Sequence, residues 1–174
     1  MSERSSALNI REVLESVVIA VVLALLIRTF LFQFFWIPSR SMEETLLIND
    51  RIVVTRFSYW FNEPERRDVV VFKYPLDPTK DYVKRLIGLP GEKLAIINSK
   101  LYINDTLVEE PYLPEGLDFG DFGPVIIPAG KYFMMGDNRN NSSDSRVWGF
   151  VDQDLLIGKA QFIYWPLDRM RRVK

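Results

Sequence analysis

The chain contains no cysteine and no histidine. Without cysteine there can be no disulfide, no thiolate zinc site and no thiol nucleophile, and without histidine there is no Ser-His-Asp or Cys-His arrangement. Any hydrolytic chemistry must take its base from Lys, Asp or Glu. A cysteine-free chain suits either redox compartment and assigns neither. A strongly basic balance is also lacking: the net charge is −1, and the only dense basic run is Arg169 to Lys174. The phosphate-neutralising face that nucleic-acid binding requires is therefore absent. The basic run is expected to be a solvated end, with anionic lipid headgroups as its alternative contact.

What is present is 174 residues, 48% of them hydrophobic, enough for one globular core plus an anchor. Ser16 to Ile27 reads SVVIAVVLALLI, and apolar character resumes after Arg28 and Thr29 with FLFQFFWI. Taken from about Leu8 to Arg28, the segment has roughly bilayer length, with Arg11, Glu12 and Glu15 near one end and Arg28 placed to snorkel at the other. No small residues at A-x-A spacing follow it, so a permanent single span is favoured over a cleaved signal. A buried core helix is disfavoured because no polar face recurs between residues 16 and 27. Arg4 and Arg11 before the span balance Arg28 and Arg40 after it, so charge bias leaves the orientation open. The aromatics of Phe30 to Trp36 and of FSYWF, Phe57 to Phe61, suit a headgroup region, with core packing as the equal alternative for the second cluster.

From Arg51 onward the pattern is of short strands: RIVVTR, DVVVFKY, YVKRLIG, EKLAII, KLYIN, GPVIIP, KYFMM and LLIGKAQFIYW. Asn98-Ser99 and Asn104-Asp105 stand where the tight turns of a meander belong, which is a better reading of Asn104-Asp105-Thr106 than a glycan site. No sustained helical periodicity follows Arg51. The expected fold is mainly β, an antiparallel sheet domain over residues 30–174 tethered by one N-terminal transmembrane helix within residues 1–29.

Three places break the strand logic. YVKRLIG sets Lys84 beside Arg85, and alternation sends them to opposite faces, one inward or into a cleft and the other into water. GDNRNNSSDSRVWGF, Gly136 to Phe150, is a long polar loop that is either flexible or functional. As a calcium loop it fails, with Arg139 at the third position, Ser142 at the sixth and Trp148 at the twelfth. Pairing of Asp137 or Asp144 with Arg139 or Arg146 is the better account and would stiffen the loop without metal. The third place is FFWIPSRSMEETL, where Ser39 and Ser41 flank one residue behind Ile37-Pro38. There is no S-x-x-K motif, so a serine and lysine distant in sequence are the remaining Ser-Lys option.

PSRSMEETL, RDVVVFKYP, DYVKRLIGLPGE and GDNRNNSSDSRVWGF, in this order behind one N-terminal span, resemble the successive boxes of bacterial type I signal peptidases, over about Arg28 to Gly158. The resemblance implies Ser41 as nucleophile, Lys84 as general base, and Ser39 as the hydroxyl that completes an oxyanion hole with the Ser41 N–H. It implies Ser142 as the residue that orients the lysine, and Asp144 with Arg146 as the pair holding that loop. Phe35, Ile37, Pro38, Tyr82 and Val83 fall on positions lining the small S1 and S3 subsites. It further implies a β domain outside the bacterial plasma membrane, exported preproteins and the lipid bilayer as partners, cleavage after A-x-A, and no metal or cofactor. Two positions depart from the family pattern: Glu44 stands where Pro is usual and Asn140 where Asp is common.

The chemistry is sound without histidine. Lysine, ordinarily near 10.4, is cationic at neutral pH, but an apolar pocket can lower it by roughly 3 to 5 units and free the amine to accept a serine proton. Val83, Leu86 and the aromatic segment before Pro38 are candidates for that pocket. The alternatives are a membrane-anchored β module that only binds partners, and an aspartic hydrolase using Asp137 and Asp144.

Overall fold

A computed structural model describes residues 10–174. Helix α1, Ile10–Phe30, leads into twelve strands: β1 Phe32–Trp36, β2 Arg51–Thr55, β3 Val69–Tyr74, β4 Asp77–Gly88, β5 Lys93–Ile97, β6 Lys100–Ile103, β7 Thr106–Val108, β8 Phe122–Ile126, β9 Lys131–Met135, β10 Val151–Asp152, β11 Leu156–Trp165 and β12 Arg171–Arg172. Helices after α1 are single turns, among them α2, Ser58–Phe61, and α3, Ser145–Trp148. Each strand expected from the sequence forms.

One sheet runs β1-β2-β11-β3-β4-β9-β10, with β12 attached to β11, and a smaller sheet runs β7-β6-β5-β8; every pairing is antiparallel. In the smaller sheet Asn98 and Ser99 have φ of 50° and 58°, and Asn104 and Asp105 have 50° and 63°. Two consecutive residues at positive φ make the hairpin turn whose twist matches the strands, and Asn and Asp tolerate that region well. Alternation in β2 and β3 sends Ile52, Val54, Val69 and Val71 into one core with Ile37, Met42 and Leu46. A second core, around Ile87, Leu94, Leu101 and Phe133, lies under the smaller sheet.

The expected span is not shown: among the described residues no helix is long and apolar enough to cross a membrane. Leu8 and Arg4 lie outside the described residues. The charge-free stretch from Ser16 to Ile27 amounts to about 18 Å of helix, against about 30 Å of hydrocarbon, because charges bound it in the sequence at both ends. Valines and leucines of α1, such as Val17, Val18, Val21, Val22 and Leu25, are nevertheless exposed, since the helix lies against no other layer. The aromatic run after it contains an edge strand, β1, paired to β2 along its whole length. In that strand Phe34 and Trp36 face outward, exposed.

Candidate active site

Ile37 ends the β1 edge inside the core, its N–H donating to Asp50 O at 2.9 Å and its carbonyl accepting from Asn49 N at 2.9 Å. Pro38 cannot continue a ladder, and the chain turns away over Ser39 to Leu46. Met42 and Leu46 are completely buried and fasten this loop to the core from below. Ser41, between the turn and Met42, is thereby held with its side chain toward β4.

β4 supplies the other half. Lys84 Nζ donates to Ser41 Oγ at 2.7 Å and to the Val83 carbonyl at 3.0 Å. Lys84 is only 4% exposed and makes no ion pair among the described residues. Burial lowers its pKa from the ordinary 10.5 to about 8, working against the carboxylates of Asp144 and Asp137, which pull it back up. The amine is therefore neutral in a substantial fraction of molecules just above neutral pH.

Arg85 corrects the expectation that one of the two basic neighbours stays in water. Alternation does send it to the opposite face, but that face is buried too, and Arg85 is 1% exposed. Its guanidinium binds Asp137 through two bonds, Nε to Oδ1 at 2.8 Å and Nη2 to Oδ2 at 2.6 Å, and lies over the Tyr112 ring at 3.9 Å. The planar fork matches a carboxylate, so the buried charges are paired and hydrogen-bonded. Thr45, four residues past Ser41, joins this pair by donating to Asp137 and accepting from Arg85.

The polar loop after β9 is ordered by its own charges. Asp144 is completely buried and pairs with Arg146, accepts from Gly136 N at 3.1 Å and caps α3 through Arg146 N. Arg146 also donates to the Arg139 carbonyl at 2.7 Å. Of the pairings considered in the sequence, only Asp144 with Arg146 forms; Asp137 goes to Arg85 and Arg139 to Glu110. Both aspartates are thus committed to arginines, which leaves the aspartic-hydrolase alternative without a pair.

Ser39 Oγ lies 3.5 Å from Ser41 Oγ, on the exposed side of the turn. Ser41 N–H makes no hydrogen bond among the described residues. Ser142 does not bond Lys84: its buried Oγ has no hydrogen-bond partner. A cavity of about 370 Å³ opens at Ser41 and Lys84, and Phe35, Ile37, Pro38, Tyr82 and Val83 all line it, with Ile52 and Val71 beneath. On the side of β4 away from β3, the ladder to β9 covers only Arg85 to Gly88, so Tyr82 and Val83 present that edge without a strand neighbour.

Comparison with known proteins decides the family. The family described as signal peptidase, peptidase S26, matches residues 10–165. The chain belongs to it. A probable signal peptidase I-2 of Synechocystis sp. is 41% identical over 162 residues, covering 90% of this chain and 73% of the relative. Signal peptidase I T of Bacillus subtilis is 42% identical over 170 residues, covering 92% and 88%. A crystal structure of a signal peptidase I from Enterococcus faecalis superposes with a TM-score of 0.51 at 34% identity, covering 56% of this chain and 97% of that one. The chain is accordingly a serine peptidase of the signal peptidase I type.

Three neighbours of Ser41 and its loop are not apparent from the sequence. Gly136 approaches so closely that a Cβ there would lie 2.3 Å from both the Ser41 carbonyl oxygen and Ser142 Oγ. Asn138 N donates to that carbonyl at 3.2 Å. The basic tail, expected to be a solvated end, is tied down: Arg169 binds Asp50 through two bonds of 2.8 Å, and Arg171 reaches the loop after Ser41. Carbonyl partners leave no trace in residue identity, although Gly136 opening the polar run was a signal for close approach.

Proposed function

We propose that this peptidase removes N-terminal signal peptides from exported preproteins after small residues, with Ser41 as nucleophile and Lys84 as general base. The single observation that carries the mechanism is the 2.7 Å contact of Lys84 Nζ with Ser41 Oγ inside a buried pocket. Neutral Lys84 takes the Ser41 proton as Oγ attacks the scissile carbonyl carbon. The oxyanion is received by the free Ser41 N–H and by the Ser39 hydroxyl on the same turn. Lys84, now charged, returns the proton to the departing amine, the acyl chain stays on Ser41, and water activated by the same amine releases it.

Substrate is bound as an added strand on the open β4 edge at Tyr82 and Val83, which places alternate side chains toward the cavity. Phe35, Ile37, Pro38, Tyr82 and Val83 leave room for small residues, which is the basis for A-x-A sites. Ser142 orients Lys84 once substrate closes the pocket, and until then its hydroxyl is unengaged. The reaction calls for no metal.

Attachment to the bacterial plasma membrane by residues 1–29, with residues 30–174 as the extracytoplasmic peptidase body, completes the reading. It is supported by the exposed apolar side chains of α1 from Ile10 to Leu25 and by the charged residues that bound the apolar stretch in the sequence. Carbonate extraction of membranes, with protease added to intact and opened cells, tests it; release of the chain by carbonate would refute the anchor. For the chemistry, Ser41→Ala should abolish cleavage of an A-x-A preprotein while leaving expression and membrane insertion unchanged. Turnover by the purified variant would remove Ser41 from its role.

A further inference from the structure

The backbone just past the nucleophile is held in an unfavourable shape. Glu44 has a φ of 90°, a region open to glycine and costly for any residue with a side chain. Proline, usual at this position in the resemblance, is excluded by its ring-fixed φ of about −65°. The loop's own backbone bonds are short-range: Glu43 N to Arg40 O, and Thr45 N and Leu46 N to Met42 O.

The carbonyls of Glu44 and Thr45 are bound from the far end of the chain. Arg171 Nη2 donates to the Thr45 carbonyl at 2.9 Å and to the Glu44 carbonyl at 3.3 Å. Its strand, β12, is fixed by pairing to Phe162 and Ile163 of β11 and by Val173 N donating to Gln161 O at 3.0 Å. Val173 packs against the core that contains Met42 and Leu46. Arg85, beside the catalytic lysine, donates to the main-chain oxygen of Lys174 at 3.0 Å. At the loop's other end Arg169 pairs with Asp50, whose carboxylate accepts from Leu47 N at 2.9 Å. The part of the loop that follows Ser41, from Glu44 to Asp50, is thus held by two cations of one tail.

We propose that Arg171 is a positioning residue for the reaction: by binding two successive carbonyls it holds the left-handed turn at Glu44 and so fixes Ser41 against Lys84. The inference rests on the Ser41–Lys84 reading above. A planar guanidinium spans neighbouring carbonyls; a lysine head, a point donor, replaces it only in part.

The test compares wild type, Arg171→Ala, Arg171→Lys, the double variant Arg171→Ala/Glu44→Gly, and Ser41→Ala on an A-x-A preprotein, with melting temperatures. Arg171→Ala should lower kcat about 10- to 100-fold through misplacement of the nucleophile, with KM within about twofold. Its melting temperature should stay near wild type, since Arg171 is exposed. Arg171→Lys should fall between the two. Adding Glu44→Gly should restore most of the lost kcat, because glycine holds the turn unaided; a merely structural tail contact would gain nothing from it. Wild-type kcat in Arg171→Ala, or a loss that Glu44→Gly leaves untouched, would overturn the proposal. Turnover by Ser41→Ala would instead bring down the underlying dyad, whereas a dead Ser41→Ala beside a fully active Arg171→Ala would remove the clamp alone.

Discussion

Burial of Lys84 costs the folded state whenever the amine is charged. Its pKa is lowered to about 8 in the folded chain against an ordinary 10.5. Between those values the unfolded chain binds the proton and the native one does not, so stability rises with pH across that window. It is lost again as pH falls through 8, by about 3 kcal/mol in all. Lys84→Met, similar in length and uncharged, should therefore be more stable than wild type at pH 7 in urea unfolding, by about 1 to 3 kcal/mol. The advantage should shrink as pH climbs toward 10, and a less stable variant at pH 7 would contradict the burial cost. With Lys84 as the proposed base, kcat/KM should climb with a midpoint near 8, the value set by burial. A midpoint near the ordinary lysine value would place the base elsewhere. Ser142→Ala should cost less than loss of the dyad, about 1 to 3 kcal/mol of transition-state stabilisation for one orienting hydrogen bond. In single-turnover assays, a silent Ser142→Ala would return that hydroxyl to a packing role.

At the scale of elements, the smaller sheet shows why the strands were legible. Period-two patterns such as KLAII and KLYIN bury Leu94, Ile96, Leu101 and Ile103 on one side, and the Asn-Ser and Asn-Asp pairs between strands carry the positive φ that such turns need. Asp105 has a φ of 63° and only an exposed ion pair with Lys93. Asp105→Gly should stabilise the fold by about 0.5 kcal/mol, since glycine relieves the turn and the exposed pair is worth little. Thermal unfolding reads this directly, and a lower melting temperature would contradict it. β1 went unread as a strand because its aromatics suit a headgroup belt, and β12 because two residues carry no periodicity. Arg85 hid for a different reason: alternation gives the face of a side chain but not whether a second layer covers that face. Here the polar loop does, bringing Asp137 to it.

For the whole molecule, the pocket at Ser41 and Lys84 draws on segments far apart in sequence, the loop after β1, strand β4 and the loop after β9, with a fourth, the tail, bonded to the first of these. Sequence pattern singled out the first three by the candidate residues they carry, and the structure brings two of those, Ser41 and Lys84, into contact. It missed the fourth, because Arg171 acts on carbonyls. Exposed apolar side chains gather on β1 and the end of β11, with Phe34, Trp36, Trp165, Leu167 and Met170, while Arg51 sits in register with both Trp36 and Trp165. Removing Met1 to Thr29 should leave a body that cleaves short peptides yet self-associates and sediments with anionic vesicles, as an apolar patch beside arginines requires. A monodisperse variant indifferent to vesicles would show that those aromatics do not meet the membrane.

Whether Lys84 acts as a neutral base on Ser41 is decided by cleavage of an A-x-A preprotein by folded Lys84→Arg. Guanidinium keeps charge, hydrogen bonding and approximate size but stays protonated at any working pH. If Lys84 only paired with charges or packed the pocket, arginine would preserve much of the activity. With EDTA-treated wild type measured beside it at pH 6 to 10, the account predicts no detectable cleavage by the variant at any pH and full activity of the treated wild type. Substantial cleavage by Lys84→Arg would contradict the account.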